Sequence, residues 1–449
     1  MSPLFILCAI LVNVLFIACF RRLYSRSLGI SMLGAWVVGV YYFICIPYTL
    51  IALNNGYEIK WGATGPWTSV DLNHHSFFYP FMFISFSQAF MCVLLLMITL
   101  NPGNNISAKE LIQKVSLRLI NAFLLSSCIF SMAVWALGIY SAGGFVEYFI
   151  LYWYLRTSAL QEILGQSYVI LSYASIANNI LFSASAAVYI ANRALLNNGL
   201  SINRTILVIV LFAFLDLIMS GNRINIAVLG ILLISMAIQL KVRRYLKWAV
   251  IIMPIAILFF SLWPSLRGHL GDLERGIEIH ELRTQTESTI SMPIFDAVEG
   301  SAVMLLFHII KDFGDRIDYL YGASYVRLLD FLVTSPQNKS ENFSIYLART
   351  FEDTDETSFT ATVLGEGYAN FGPFSVLVLP IGMMTSYALT LMFGRNALVS
   401  AIGFLFILKS MRYFFSVMVV ILLFLFPMYY IYKFISRLKT PFYVSVKLK

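Results

Sequence analysis

The stretch that decides the fold is TILVIVLFAFLDLIMSGNRINIAVLGILLISMAIQL, residues 205–240. As a single helix its 36 residues would be about 54 Å long, nearly twice the hydrocarbon thickness of a bilayer. The polar interruption from Ser220 to Arg223 instead divides it into two short apolar helices. We therefore predict two membrane crossings that turn near Gly221.

The composition extends this interpretation to the whole chain of 449 residues. Hydrophobic residues make up 59% and charged residues 12%, with a mean hydropathy of +0.79. Because soluble domains carry roughly 25% charged residues, a water-soluble enzyme is excluded. The net charge of +8 lies in short loops between apolar segments, which indicates membrane topology rather than a nucleic-acid partner. All five cysteines fall within apolar segments, so the sequence predicts neither disulfides nor a metal site.

The hydropathy pattern predicts an all-α integral membrane protein with about eleven transmembrane helices, the N-terminus outside and the C-terminus cytoplasmic. A single crossing at 205–240 would place the basic run Lys241–Lys247 outside, against the positive-inside bias. Besides the two crossings within 205–240, we predict crossings at about 3–20, 28–53, 76–100, 119–140, 167–191, 248–264, 373–393, 396–408 and 413–432. Residues 1–264 then hold eight crossings, and residues 373–449 hold three crossings and a basic tail.

Residues 265–372 form the one large outer loop in this topology. The loop contains two segments with apolar faces, 294–313 and 317–333. The first has helical spacing but is too short to span a bilayer, so we predict an amphipathic helix at the interface or packed over the bundle. We expect the loop to form a lid or substrate groove over a membrane-embedded cavity.

Arginines near the outer face are candidates for binding phosphate. Arg223 lies where the two short helices meet, and an ionisable residue at membrane depth is a functional hypothesis by default. Its alternative is an ion pair with Asp216. Arg267 and His269 lie at the start of the large loop. Arg267 is a candidate phosphate ligand, and His269 is a candidate acid, base or phosphate ligand. Their alternative is a snorkelling arginine beside a solvated histidine.

Aromatic residues in the loop are candidates for binding sugars. Arg316 and Arg327 flank a tyrosine cluster that includes Tyr321 and Tyr325. Aromatic faces pack against pyranose rings while polar groups bind the hydroxyls. The alternative is local pairing of each arginine with a neighbouring aspartate: Asp312 or Asp315 for Arg316, and Asp330 for Arg327.

The run GEGYANFG, which begins at Gly365, carries the most information about chemistry. Glu366 is flanked by Gly365 and Gly367, which would allow a substrate to approach the backbone closely. Tyr368 and Asn370 follow. Composition alone permits either a carboxylate that activates a hydroxyl or an ordinary turn at the start of a helix.

Three of these motifs together resemble the Wzy-type O-antigen (oligosaccharide repeat-unit) polymerases of bacterial inner membranes. They are the GEGYANFG run, the sequence YGASYVR from Tyr321, and SGNR from Ser220. One departure is visible: family members often carry a Pro-Arg pair after the second motif, where this chain reads SPQNK, ending at Lys339. If that arginine binds phosphate, Lys339 or another residue must replace it.

The resemblance implies a metal-independent glycosyltransferase without cofactors, acting at the periplasmic face. The substrates would be oligosaccharides on undecaprenyl pyrophosphate, with the growing chain transferred from its lipid pyrophosphate to a new lipid-linked repeat unit. Membrane lipids and a chain-length regulator are the other partners it suggests. In this scheme the arginines stabilise the leaving pyrophosphate and a carboxylate activates the acceptor hydroxyl. The assignments are Arg223 and Arg267 for the pyrophosphate, Glu366 and then His269 for the base, and Tyr321, Tyr325, Tyr368 and Asn370 for the sugar path.

Two alternatives stay open at this point. An O-antigen ligase also has many helices and a large periplasmic loop, but transfers to a lipid A core. A lipid-linked oligosaccharide flippase or other transporter would also have a basic cavity, although internal repeats are expected there.

Overall fold

The apolar run Leu117–Ala142 forms a helix with identifiable capping residues at both ends. Ser116 precedes this run, and its hydroxyl oxygen accepts a hydrogen bond from the Leu119 N–H at 3.2 Å. Gly143 ends the same helix with φ 87°, a left-handed conformation that favours glycine. Local capping thus sets the bounds of the helix predicted at 119–140.

The fold was obtained as a computed structural model. It describes residues 60–61, 65–66, 74–100, 108–148, 158–196, 203–220, 224–240, 300–325, 343–352, 362–378, 396–409 and 415–438, with single positions at 11, 14, 15, 18, 381, 382 and 384. This part of the chain is mostly helical.

The helices are, in chain order, α1 (His74–Leu100), α2 (Ala108–Gln113), α3 (Leu117–Ala142), α4 (Ser158–Leu196), α5 (Arg204–Ser220), α6 (Ile224–Leu240), α7 (Gly300–Asp312), α8 (Phe343–Glu352), α9 (Val363–Phe371), α10 (Ala397–Lys409) and α11 (Phe415–Arg437). A 3-10 helix, Gly372–Leu377, continues directly from α9. Two short strands, β1 (Lys60–Trp61) and β2 (Gly65–Pro66), pair in antiparallel fashion.

Within the described ranges, three helices are long and apolar enough to cross a membrane. They are Leu117–Ala142, Ile170–Leu196 within α4, and Val417–Arg437 within α11. Their length and composition indicate a helical, membrane-associated protein. The predicted crossings at 28–53 and 248–264, and most of the one at 3–20, lie outside the described residues.

The prediction that the stretch 205–240 is divided into two helices is confirmed. α5 ends at Ser220 and α6 begins at Ile224. Residues 221–223, between them, lie outside the described part of the chain.

Helix α4 is the centre of the described bundle. It contacts α3, α6, α10 and α11, and every residue from Leu181 to Ile190 is buried. The run from Ser183 to Ala187 contains only serine and alanine, and such small side chains allow close approach of neighbouring helices. The helix is longer than the predicted 167–191.

One buried asparagine connects three of these helices. The Asn178 side-chain amide on α4 donates to the Ser127 carbonyl and to the Ser131 hydroxyl of α3, both at 2.9 Å. Its carbonyl oxygen accepts from the Tyr432 hydroxyl of α11 at 2.8 Å. Because an unsatisfied amide is costly in an apolar interior, this network fixes the relative positions of the three helices.

Two described elements between residues 300 and 378, α7 and the 3-10 helix, pack against α1. α7 contacts α1 and α9, with Leu306 and Ile310 buried. This agrees with the helix predicted within 294–313. The second apolar-faced segment, predicted at 317–333, differs from α7 because its first residues are not helical. Tyr321 and Gly322 have positive φ angles. The segment predicted as a crossing from 373 likewise begins as a 3-10 helix.

We predict that Tyr432→Phe destabilises the protein in detergent by about 1–2 kcal/mol, since it removes the donor to the buried Asn178 carbonyl oxygen. Thermal unfolding measures this. Tyr140→Phe is the matched control, because Tyr140 is 86% exposed. Equal melting temperatures for the two variants would contradict the assigned role of Asn178.

Candidate functional site

Helix α9 carries the GEGYANFG run and is buried along its length. Thr362 caps its start, with its hydroxyl oxygen accepting from the Gly365 N–H at 3.3 Å. Every residue from Val363 to Asn370 is buried. Glu366 lies in the first turn, where a carboxylate is favoured by the helix dipole. Glu366 therefore stabilises the first turn of α9, and any chemical role of its carboxylate is additional to this structural one.

The loop segment 320–322 is hydrogen-bonded onto the C-terminal end of α9. The Leu320 N–H donates to the Ala369 carbonyl at 2.9 Å, and the Tyr321 N–H donates to the Asn370 carbonyl at 3.1 Å. Terminal helix carbonyls lack intrahelical donors, so this segment satisfies groups that would otherwise be unpaired. Two stretches some 50 positions apart in the sequence thus form one unit.

Side-chain hydrogen bonds also stabilise this junction between residues 320–324 and α9. The Asn370 amide donates to the Ser324 hydroxyl and to the Glu366 carbonyl, both at 2.8 Å, and its oxygen accepts from the Gly322 N–H at 2.9 Å. The Ser324 hydroxyl donates to Glu366 Oε1 at 2.9 Å. Glu366 and Asn370 are both fully buried. The network fixes the segment that carries Tyr321 and Tyr325 against α9.

This junction borders a cavity of about 540 Å³, within the range typical of ligand sites. Its lining includes Tyr319, Tyr321, Tyr325 and Asn370, together with residues between Phe371 and Ile381. Three of the residues predicted for the sugar path therefore share one cavity. Glu366 is not in the lining, and its carboxylate lies behind the wall that the Ser324–Asn370 network supports.

Tyr321, one of the residues that line this cavity, has a strained backbone. Its φ is 47°, and the side chain is 80% exposed. A left-handed conformation is unfavourable for a bulky residue and persists only where surrounding contacts impose it. Here the contacts are the hydrogen bonds of residues 320–322 to α9. Such strain is common at functional sites.

Tyr368, which is also predicted to line the sugar path, packs between α9 and α1. Its ring makes edge contacts with Phe83 and Tyr319, at centroid distances of 5.1 and 6.1 Å. Burial raises the pKa of Tyr368, and its hydrogen bond with Tyr79 raises it further. Burial also raises the pKa of Tyr325, with the Glu366 charge adding to the effect. Both phenols therefore stay protonated at neutral pH.

Gly367 has a packing role. A Cβ on Gly367 would lie 2.7 Å from a Val378 methyl carbon and 3.1 Å from the Ser375 Cβ. The space beside this glycine is occupied by the 3-10 helix, so the expectation that it admits a substrate is wrong. Gly367 allows the chain after α9 to fold back closely.

Arg316 adopts the local pairing that was its alternative. Its guanidinium lies 3.8 Å from Asp312 Oδ1, and the side chain is 71% exposed. His308 Nδ1 lies at the same distance from the other oxygen of Asp312. Arg316 is not among the cavity-lining residues. Because the guanidinium is largely exposed to solvent, this pair contributes little to stability.

Four predicted site residues, Arg223, Arg267, His269 and Arg327, lie outside the described residues. Their predicted roles at the pyrophosphate, as acid or base, and in the sugar groove stay predictions.

A second polar centre lies within the bundle, close to the break at Ser220. Asp216 Oδ2 accepts hydrogen bonds from the Asn179 and Asn225 amides, both at 2.9 Å. The Lys409 ammonium donates to the Asn225 carbonyl oxygen at 3.1 Å. Asp216 and Lys409 are 6% and 1% exposed. One amide therefore bridges two opposite charges that α5 and α10 bring into the interior.

Sequence reasoning did not single out Ser324, Asn179 or Lys409. Asn179 had an available signal, because it belongs to a pair of asparagines inside the crossing predicted at 167–191. Lys409 had none, since a lysine ending an apolar run is usually an anchor at the membrane interface. Its burial depends on α10 packing against α4 and α6.

No protein-family model, no curated protein and no solved structure matches this chain.

We predict that Asn370→Ala loosens residues 320–322 without unfolding the bundle. Loss of the Asn370 bonds should make backbone hydrogen exchange at these residues roughly tenfold to a hundredfold faster. Hydrogen exchange with mass spectrometry measures this. Asn203→Ala, which removes a cap on α5, is the control and should leave the segment unchanged. Unaltered exchange in Asn370→Ala would refute the proposed lock.

We also predict strong coupling between Asp216 and Lys409. Asp216→Asn or Lys409→Met alone leaves a buried charge uncompensated and should cost about 3–5 kcal/mol. The double variant should be destabilised by clearly less than the sum of the two. Thermal unfolding in detergent measures the cycle, with exposed Lys109→Met as the control. Strict additivity would show that the two charges are independent.

Proposed function

We propose that this chain is a membrane glycosyltransferase of the O-antigen polymerase type. It would join undecaprenyl-pyrophosphate-linked oligosaccharide repeat units into O-antigen or a related surface polysaccharide, at the periplasmic face of a bacterial inner membrane. The observation that carries the proposal is the junction of residues 320–325 with α9. Two of the three motifs on which the resemblance rests are hydrogen-bonded into one wall beside a ligand-sized cavity.

The proposed topology has eleven crossings, with the N-terminus outside and residues 265–372 as the large outer loop. In it, the C-terminal end of α5, the N-terminal end of α6 and the C-terminal end of α10 all lie toward the outer face. The Asp216–Asn225–Lys409 bridge joins these three ends, which supports the assignment. So does the contact of α9 with the N-terminal half of α1 through Tyr368 and Phe83.

The chemistry that we propose is an attack by an acceptor hydroxyl on the sugar carbon that bears the pyrophosphate. The oxygen–carbon bond to the acceptor forms while the bond to the lipid pyrophosphate breaks, and the hydroxyl proton is lost to a base. Arg223 and Arg267 are the proposed cations that stabilise the departing pyrophosphate. Glu366 is the proposed base, with His269 as the alternative.

The burial of Glu366 places a condition on its role. Its carboxylate is fully buried and bonded to Ser324, so it meets an acceptor only if residues 320–325 move away from α9. In the conformation described it orders the cavity wall. Catalytic hydrogen bonds often tighten only once the substrate is bound, so this geometry is compatible with both roles.

A transporter is the second candidate, and one observation favours it. Asp216 and Lys409 form a buried charged unit in the bundle, and intramembrane ionisable groups often mark ion or proton pathways. A flippase for lipid-linked oligosaccharides would use such a unit to couple ion and substrate movement. A ligase that uses a lipid A core acceptor differs from the polymerase only in the acceptor.

The polymerase proposal predicts that purified protein converts a lipid-pyrophosphate-linked repeat unit into a ladder of oligomers without added nucleotide or metal. Gel electrophoresis of the products measures this. Glu366→Gln should lower the rate by about 10²-fold or more, the usual contribution of a positioned base. Glu147→Gln, an exposed glutamate, is the matched control.

Other outcomes separate the alternatives. Transfer only to an added lipid A core would identify a ligase. Absence of both products, with movement of the labelled lipid across proteoliposomes that Asp216→Asn abolishes, would identify a transporter and reject the polymerase.

A further inference from the structure

The cavity beside α9 has few polar groups free to bind a sugar. Both Asn370 amide hydrogens and its carbonyl oxygen are engaged by Ser324, Glu366 and Gly322. The Ser375 hydroxyl donates to the Gly372 carbonyl at 2.7 Å. The described lining contains no charged side chain. Apart from the three tyrosine hydroxyls, the described lining offers sugar hydroxyls few partners to replace the water that they would lose, which is unfavourable.

Most of the lining is apolar, and it continues beyond the cavity as an exposed stripe. Phe374, Leu377 and Ile381 line the cavity and are 81%, 44% and 50% exposed. Met384 is also exposed, and the spacing of these four positions places them on one side of a helical path. The stripe therefore runs from the cavity along the segment predicted to enter the membrane at 373.

We propose that this cavity and stripe bind the polyprenyl chain of the lipid-linked substrate, and that the sugars lie outside them. The inference rests on the proposed function, which supplies a polyprenyl lipid. A long hydrocarbon chain matches an elongated apolar surface that leads into the bilayer, because each methylene buried there adds to the affinity. Tyr321 then marks the end of the cavity where the chain meets its polar headgroup.

This assignment fits the described part of the lining, in which no residue carries a positive charge to bind the pyrophosphate. We therefore place the pyrophosphate outside the cavity, beyond Tyr321. The assignment also replaces the expectation that Tyr321, Tyr325 and Asn370 line a sugar path. Asn370 holds the wall, and the tyrosine rings contact hydrocarbon.

Photolabelling of the full chain in nanodiscs tests the proposal. One probe is undecaprenyl phosphate with a diazirine in its polyprenyl chain, and the other is phosphatidylglycerol with a diazirine in an acyl chain. We expect the first probe to label the peptide containing Phe374–Ile381. A roughly tenfold excess of unlabelled undecaprenyl phosphate should lower that labelling by about tenfold. The phospholipid probe should label the peptide weakly and without competition.

A cavity-filling variant gives a second readout. Leu377→Trp should weaken labelling by about tenfold, the effect of excluding roughly two methylene groups from the site. Leu211→Trp, at an exposed apolar position on α5, is the matched control and should leave labelling unchanged. The competition result on the unmodified protein stands even if Leu377→Trp does not fold.

Three results would overturn the proposal: no labelling of this peptide, equal and uncompeted labelling by both probes, or labelling by a repeat unit whose diazirine is on a sugar. Failure of the polymerase proposal is distinguishable. Competed polyprenyl labelling without any polymer ladder would support the cavity assignment and reject the polymerase. A ladder without labelling would reject the cavity assignment alone.

Discussion

The unpaired carbonyls at the end of α9 are the constraint on which the candidate site depends. A helix ends with acceptors that have no partners in the helix, and in a buried helix water does not supply donors. Here residues 320–322 supply them, with Leu320 and Tyr321 donating to α9 carbonyls. That requirement holds the loop against the helix and forces Tyr321 into a left-handed conformation. The shape of the cavity therefore depends on which residues donate hydrogen bonds to the carbonyls at the C-terminal end of α9.

The same rule operates inside the bundle. Helix α4 is surrounded by other helices, so each polar group on its buried side needs a partner on a neighbour. Asn178 finds partners on α3 and α11, and Asn179 finds Asp216 on α5. Hydrophobic burial does not distinguish one rotation of an apolar helix from another. These hydrogen bonds do, because an alternative rotation would leave amides unpaired in a medium that cannot hydrate them.

Part of the segmentation of the described residues was predictable, because a bilayer fixes how long an apolar helix is. The predicted segments at 119–140 and 396–408 differ from α3 and α10 by only a few residues, and the break after Ser220 is where the apolar pattern is interrupted. The inward-facing sides were not predictable. A helix that is apolar all round has no periodicity to reveal its buried face, so Lys409 looked like an interfacial residue.

The site was predictable only in part, for a related reason. Tyr321, Tyr325 and Asn370 do share a cavity, as their motifs indicated. Ser324 was missed because a serine gives no signal until its partner is known. The contacts of Tyr368 follow from its position on α9, which the GEGYANFG run by itself does not show. On a helix, positions 368 and 370 lie about 200° apart, and Tyr368 accordingly contacts α1.

The most direct test of the account is a cryo-electron microscopy map of the full chain with a lipid-pyrophosphate-linked repeat unit bound. The account predicts hydrocarbon density along Phe374, Leu377 and Ile381. We also expect headgroup density outside the cavity, beyond Tyr321. Sugar density inside the cavity, or a ligand bound only around Asp216 and Lys409, would contradict it.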